Sequence, residues 1–180
     1  MTDKPMKNVI ADKYIELLNE GTYRKVTVSL LTKECDISRQ TFYYHFDDLN
    51  DVLDFALKNR VDELHKRCLA EATPKGSIRV TVSAIAESTP LITVLVDSPE
   101  RNKYKTQGRN AIKDLMEEYL LKRATRVTSY SPEELQILLS IYSWGLVGIT
   151  LDSIREFKSL DVDMVTEQLY RVFSGDSPLI

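Results

Sequence analysis

The sequence is poor in the residues that build disulfide frameworks and metal centres, with only two cysteines and two histidines among 180 residues. Cys35 and Cys68 show neither metal-ligand spacing nor a secretory context, which favours a reducing compartment. His65 has Glu63 and Cys68 nearby, but at no convincing ligand spacing, so we expect a solvated histidine. The sequence therefore predicts no metal site and no cofactor.

Catalytic motifs and membrane signals are also missing. We find no paired carboxylates, no nucleophile with a neighbouring base and no glycine-rich phosphate loop, and we therefore do not expect an enzyme. The N-terminus lacks the apolar core of a signal peptide, and we see no apolar run approaching the roughly 18 residues of a membrane span. We predict a cytoplasmic protein that does not bind a membrane.

Positive charge is scarce overall, since 24 Lys and Arg stand against 27 Asp and Glu, a net charge of −3. The total therefore does not indicate a polyanionic partner. The segment from Thr22 to Phe46 differs, because its four basic and two acidic residues sum to about +2. Any affinity for nucleic acid must come from this local patch.

The stretch from Thr27 to Phe46 predicts two short helices joined by a tight turn. Thr27 is a helix N-cap, and the stripe of Val28, Leu31 and Cys35 gives the first helix a buried side. Ser38 caps the second helix three residues later, so Asp36 must occupy the turn with a positive φ.

The second of these helices buries Phe42 and Phe46 and turns an unusual set of side chains outwards. A short turn between two such helices is typical of the helix-turn-helix, whose second helix enters the major groove. Thr27 and tyrosine hydroxyls can bond phosphates, whereas long side chains can reach base edges. The candidate DNA-binding residues are Thr27, Arg39, Gln40, Thr41, Tyr43, Tyr44 and His45.

The remaining sequence predicts further helices, nine in all, with no strands. Four Ser-Pro or Thr-Pro pairs can each set an N-cap followed by proline, namely Thr73-Pro74, Thr89-Pro90, Ser98-Pro99 and Ser131-Pro132. The basic, glycine-containing stretch from Arg101 to Arg109 is interpreted as a solvated loop or a poorly packed helix start.

A helix predicted over about residues 132–157 is apolar nearly all round, so part of it should meet another chain. Gly145 and Gly148 would permit close helix packing there. The predicted dimer interface contains Leu138, Tyr142, Leu146, Ile149, Val165, Leu169 and Val172. The candidate effector pocket contains Met116, Tyr119, Tyr142 and Trp144, although core or dimer packing is the simpler interpretation of each aromatic residue.

The motif Thr27-Val28 followed by Ile37 to Phe46 resembles the TetR family of bacterial transcriptional regulators over about Ile10 to Leu53. The resemblance implies an all-α homodimer with a three-helix DNA-binding head, residues 1–47, and a six-helix effector-binding and dimerisation body, residues 48–180. It also implies DNA contacts for six of the residues given above, to which we add Arg39; the six are Thr27, Gln40, Thr41, Tyr43, Tyr44 and His45. The run from Tyr142 to Ile149 is similar to the body variant whose members include the activator of dihydroxyacetone kinase genes.

Two positions depart from the family pattern. Asp36 replaces the usual glycine of the turn, and Leu49 replaces a lysine that contacts phosphate. We predict a homodimeric regulator that binds double-stranded DNA at a palindromic operator and represses in response to an unidentified effector. The alternatives are an activator, or a protein-interaction module controlled by a protein partner.

Overall fold

The computed structural model describes residues 5–22, 26–123, 130–152 and 161–174. These ranges contain nine α-helices and no strand, which confirms the predicted all-α fold. The first α-helix, α1, continues as a π-helical turn over Leu18–Thr22. The helices are α1 Met6–Leu17, α2 Val28–Glu34, α3 Arg39–His45, α4 Leu49–Ala70, α5 Pro74–Glu87, α6 Thr89–Asp97, α7 Arg101–Arg123, α8 Pro132–Asp152 and α9 Val162–Ser174.

The chain divides into two compact units. The first runs from Met1 to Glu63 and includes Pro90–Val94, and the second comprises Leu64–Thr89 and Leu95–Ile180. The boundary falls inside α4. The division into a head of residues 1–47 and a body of residues 48–180 is a division by function and stays a prediction.

The first unit has a core built around two phenylalanines of the α3 region. Phe42 is 0% and Phe46 2% exposed, and Ile10, Leu31 and Val52 of the same unit are each 0% exposed. Burying a side chain of this size stabilises the fold by about 1.5–3 kcal/mol. The Phe46 ring also meets the Phe55 ring of α4 edge to face, with centroids 5.6 Å apart. These contacts fix α3 against α1, α2 and the start of α4.

The turn between α2 and α3 has the capping geometry that the sequence predicts. The Thr27 hydroxyl accepts from the Leu30 N–H at 3.2 Å, and the Ser38 hydroxyl accepts from the Thr41 N–H at 2.9 Å. Between them Asp36 has a φ of 52°. No other non-glycine residue in the described part of the chain has a positive φ. This left-handed conformation strains a residue that has a Cβ atom, whereas glycine adopts it without strain.

In the second unit α5 packs mainly on α9, and α7 packs on α8. Exposed ion pairs join Lys75 to Glu167, at 2.6 Å, and Arg79 to Asp163. The Lys75 ammonium lowers the pKa of the Glu167 carboxyl through its hydrogen bond. Such exposed pairs add little stability, because water and salt screen them; the packed apolar side chains dominate.

A small polar cluster joins α4 to α5 inside the second unit. The Cys68 sulfur lies 3.3 Å from the Thr81 hydroxyl, and the Ser77 hydroxyl donates to the Cys68 carbonyl at 2.8 Å. Cys68 is 1% exposed, and burial raises the pKa of its thiol. The thiol is therefore a protonated packing group.

Two of the four proline-associated caps form as predicted. The Thr73 hydroxyl accepts from the Gly76 N–H at 3.1 Å at the start of α5. Ser131 and Glu134 make a reciprocal capping box, with bonds of 2.8 and 3.2 Å, at the start of α8. The other two differ: α6 begins at Thr89 itself, and the buried Ser98 bonds back to the Leu95 carbonyl at the end of α6.

Of the two alternatives for Arg101–Arg109, the structure has the helix start and not the loop, because these residues form the first turns of α7. Tyr104 explains the difference, since it is 7% exposed and its burial ties the segment to the unit. The Arg109 guanidinium adds a contact 5.5 Å over the Trp144 ring of α8. The single Gly108 costs about 1 kcal/mol relative to alanine, which these contacts offset.

By its length and composition, α8 could cross a membrane. This differs from the sequence-based expectation that no stretch of the chain is long and apolar enough to do so. A helix at the centre of a helical protein or at its subunit interface has the same composition. Its predicted continuation from Ser153 to Phe157 lies outside the described residues.

Replacing Asp36 by glycine should stabilise the protein by about 1 kcal/mol, because glycine adopts positive φ without the Cβ strain. Urea unfolding measures the change. Lys33→Gly, at an exposed helical position of α2, is the control and should destabilise by up to about 1 kcal/mol. An Asp36→Gly variant less stable than the parent would contradict the strained turn.

Candidate nucleic-acid interface

The outward face of α3 is set by the two phenylalanines that anchor its inner face. With Phe42 and Phe46 buried, Tyr43 is 57% and Tyr44 84% exposed. Arg39 and Gln40 are exposed as well, while Thr41 and His45 are half-buried. All six predicted contact residues of α3 thus have accessible side chains on one short helix, and two of them are large aromatic groups in water.

The aromatic side chains of α3 are held in place by their neighbours. The Tyr43 ring meets the Phe42 ring edge to face at 5.3 Å, and the Tyr44 ring meets the His45 ring at 5.0 Å. Edge-to-face pairs of this kind contribute about 0.5–1.5 kcal/mol beyond burial. The tyrosine hydroxyls are therefore presented on partly ordered rings, which suits hydrogen bonds to phosphate oxygens.

Thr27 lies at the start of α2, and the α2–α3 turn brings this helix close to α3. Its oxygen accepts the N-cap hydrogen bond from Leu30, which leaves its O–H available as a donor. The Thr41 hydroxyl lies 2.9 Å from the Ser38 hydroxyl. The structure thus places the seven predicted DNA-binding residues on the two helices of one helix-turn-helix; their contact with DNA stays a prediction.

Ser29 belongs to the same surface and was not among the predicted residues. The Arg39 guanidinium donates a hydrogen bond to the Ser29 hydroxyl, linking α3 to α2 across the turn. Serine is common at the start of helices, so no sequence signal distinguished this one. The pairing is visible only once the turn brings residues ten apart in sequence together.

The C-terminal end of α3 leads into an acidic turn. Asp48 accepts from the Asp51 N–H at 2.9 Å, and Asp51 accepts from the Asp47 N–H at 3.2 Å, so these carboxylates cap α4. Leu49, at the position where the family has lysine, is half-buried. This edge of the interface therefore carries negative charge and an apolar side chain where a phosphate contact is expected.

The four candidate pocket residues lie on two neighbouring helices of the second unit. Met116 and Tyr119 are half-buried on α7. On α8, Tyr142 packs on the Phe173 ring of α9 at 4.5 Å, whereas Trp144 is 51% exposed beside Arg109 of α7. Tyr142 and Trp144 thus contact different helices, and the pocket stays a prediction.

The predicted dimer residues are divided between covered and open positions. Ile149 and Val172 are 41% and 37% exposed, while the other five are half-buried. The most exposed apolar side chains of α8 are Ile137 at 61% and Ile141 at 60%, which the sequence-based set does not contain. Because α8 is apolar nearly all round, periodicity alone could not identify its outer side.

His65 is not the solvated side chain that the sequence suggested. Its Nε2 lies 3.2 Å from the Ala111 carbonyl oxygen, and its Nδ1 lies 3.7 Å from Glu118. Lys122, and to a smaller extent His65, lower the pKa of the Glu118 carboxyl. Among the described residues no group of three or more potential ligands could hold a metal ion.

A three-helix head with an exposed helix of this composition defines a helix-turn-helix DNA-binding domain. Residues 10–54 match the family described as bacterial regulatory proteins, tetR family. This match confirms, over residues 10–54, the resemblance to the TetR family that the motif from Thr27 to Phe46 predicted.

Three solved structures are similar over nearly the whole chain. The dihydroxyacetone kinase operon activator DhaS has a TM-score of 0.75 at 16% identity, covering 96% of both chains. The fatty acid degradation regulator FadR from Bacillus halodurans has a TM-score of 0.67 at 15% identity, and the match also covers 96% of both chains. A transcriptional regulator (TerR/AcrR family) from Aquifex aeolicus VF5 has a TM-score of 0.64 at 20% identity, and the match covers 96% of this chain and 99% of the regulator's chain.

These likenesses show that the body as well as the head has the fold of such regulators. Comparison with curated proteins finds no match.

Replacing Leu49 by lysine should strengthen DNA binding, because it adds a cation at the edge of the interface where the family contacts phosphate. Each added phosphate contact should steepen the dependence of log K on log salt by about 0.9, or about 1.8 for a dimer. Fluorescence anisotropy with a labelled duplex at several salt concentrations measures the slope. Asn50→Lys, one residue further along α4, is the matched control; an equal gain in both variants would show a general charge effect only.

Proposed function

We propose that this protein is a homodimeric, sequence-specific DNA-binding regulator that represses transcription and whose body binds an effector. The observation that carries the proposal is the outward face of α3. It places Tyr43, Tyr44, Gln40 and Arg39 in solvent on a helix fixed by Phe42 and Phe46. A surface helix without a partner rarely exposes two tyrosines at 57% and 84%, since such surfaces favour Lys and Glu.

The roles of these side chains follow from their chemistry. Gln40 can bond bidentately to adenine, and Arg39 offers donors to guanine or to phosphate oxygens. Thr27, Thr41, Tyr43, Tyr44 and His45 carry hydroxyl or imidazole groups that can donate to the backbone phosphates. The local charge of about +2 then draws the head to DNA although the chain as a whole is acidic.

The proposed homodimer is supported by the side chains of α8, because polar ones are buried while large apolar ones are exposed. Leu139, Ser143 and Thr150 line its covered side at 9% exposure or less, and the two hydroxyls bond to carbonyls of their own helix. The exposed side carries Ile137, Ile141 and Trp144 instead. A helix that turns serine inwards and isoleucine outwards needs a second apolar surface, and a second copy of the chain supplies one.

Helix α9 extends this apolar surface. Met164, Val172 and Phe173 are 58%, 37% and 38% exposed. Exposed apolar side chains of this size on two helices are typical of a protein interface. Two copies related by a twofold axis would each present the same patch, which is the usual arrangement in soluble homodimers.

The body would regulate by changing the spacing of the two heads. An effector shifts this equilibrium only if it binds one spacing more tightly than the other. The half-buried residues Met116, Tyr119 and Tyr142 are the proposed effector contacts, with Trp144 at the margin.

Activation rather than repression is the second candidate. It is favoured by the likeness in fold to the dihydroxyacetone kinase operon activator DhaS, and by the similarity of the run from Tyr142 to Ile149 to that body variant. An in vitro transcription assay with the regulated promoter separates the two, since the protein lowers transcript yield in one case and raises it in the other.

Tyr43→Ala and His45→Ala should each weaken binding to a random-sequence 30-base-pair duplex at low salt. One lost hydrogen bond costs about 1 kcal/mol, and a dimer loses two, so affinity should fall by a factor of about thirty. Anisotropy measures the affinity, and light scattering checks that the dimer stays intact. Lys58→Ala, at an exposed position of α4 outside the basic segment 22–46, removes a charge elsewhere and is the control. Binding unchanged in both interface variants would contradict the assignment of this face.

Leucine at Gly145 or Gly148 should weaken the dimer without disturbing the fold of the subunit. A Cβ at either glycine meets nothing within 4 Å in the chain, so only a partner subunit could clash with the new side chain. Overpacking a close helix contact costs about 1–3 kcal/mol, which predicts at least a tenfold weaker dimer.

Sedimentation equilibrium measures this dissociation constant. Gly108→Leu on α7 is the matched control, because its Cβ also meets nothing within 4 Å. Equal dimer strength in all three variants would show that the partner does not pack on this side of α8.

A further inference from the structure

Ser29 lies on the first turn of α2 and has an exposed side chain. Its hydroxyl oxygen accepts a hydrogen bond from the guanidinium of Arg39, the first residue of α3. We propose that Ser29 is a positioning residue of the DNA interface, and that Ser29 and Arg39 bind DNA as one unit. This inference rests on the proposed DNA-binding function.

The backbone at Ser29 is fixed by its surroundings. The Thr27 cap holds the first turn of α2, and the Thr32 hydroxyl bonds back to the Ser29 carbonyl at 3.2 Å. Leu31 is 0% and Thr32 5% exposed, so the inner side of α2 is anchored in the core. The serine side chain is also short, and therefore its oxygen has little freedom to move.

Arg39 by contrast has a long side chain that samples many rotamers in water. A side chain that is disordered before binding must lose this freedom when it contacts DNA, and that loss lowers the affinity. The hydrogen bond to Ser29 restricts the guanidinium in the unbound protein. DNA then meets an arginine that is already oriented, which is the general advantage of preorganisation.

The pair keeps the chemical groups that DNA requires. Ser29 uses its oxygen as the acceptor for Arg39 and affects DNA binding only through the orientation of the guanidinium, while Arg39 retains four of its five N–H donors. The partner of Arg39 is a neutral hydroxyl, so it does not cancel the positive charge. The pair therefore presents donors and a cation to the acceptor atoms of DNA, either phosphate oxygens or the O6 and N7 of guanine.

A double-mutant cycle tests this unit. Dissociation constants for a duplex selected from a random pool are measured by anisotropy for the parent, Ser29→Ala, Arg39→Ala and the double variant. We expect Ser29→Ala to weaken binding about fivefold and Arg39→Ala more than tenfold, with the double variant equal to Arg39→Ala alone. Ser29→Thr keeps the hydroxyl and should restore most of the parental affinity.

The melting temperature is measured in parallel and should be the same in all variants, because both side chains are exposed. Arg60→Ala, an exposed arginine on α4, removes the same charge elsewhere and is the control. The salt dependence shows which atoms of DNA the arginine contacts. A phosphate contact predicts a slope of log K against log salt reduced by about 0.9 per subunit, whereas a guanine contact predicts lost preference at one base pair.

Two results would overturn the proposal. One is Ser29→Ala with parental affinity. The other is a double variant whose loss is the product of the two single losses, since the residues would then act independently. If the unmodified protein selects no duplex, both the proposed function and this inference fail. If the unmodified protein binds DNA and Ser29→Ala binds with the same affinity, only this inference fails.

Discussion

The burial of Phe42 and Phe46 is the constraint on which the interface depends. The two rings are four residues apart, so they lie on one side of α3 and fix its rotation about its own axis. Every other side chain of the helix must then point along its edges or outwards. The same two residues thus supply apolar burial for the first unit and determine which side chains face DNA. A helix rotated by a quarter turn would bury tyrosine hydroxyls and expose a phenylalanine.

The turn before α3 is the second local determinant. Thr27 caps the start of α2 and Ser38 caps the start of α3 only a few residues after α2 ends, so a short turn joins the two helices. Asp36 completes the turn at positive φ, at a cost in stability that glycine would avoid. Together with the acidic turn at Asp47 to Asp51, this gives a head of family architecture whose edge carries less positive charge than the family pattern.

The head could be predicted closely from the sequence because its determinants are local. Caps, the positive φ of Asp36 and the phenylalanine spacing each depend on residues within one or two helical turns. The failures are at positions that depend on tertiary contacts. Arg101–Arg109 is helical because Tyr104 is buried, and the outer side of α8 depends on which neighbours cover Leu139 and Ser143. The Ser29–Arg39 bond likewise requires two helices to meet.

Sequence selection from a random pool of duplexes tests the central claim, that the helix-turn-helix of a twofold symmetric dimer reads DNA. The account predicts enrichment of an inverted repeat, with half-site centres about 34–36 Å, or roughly ten base pairs, or a multiple of that apart. The selection is run at moderate salt, where base contacts rather than charge alone decide binding. Enrichment of no symmetric sequence at any salt concentration that permits binding would contradict the account.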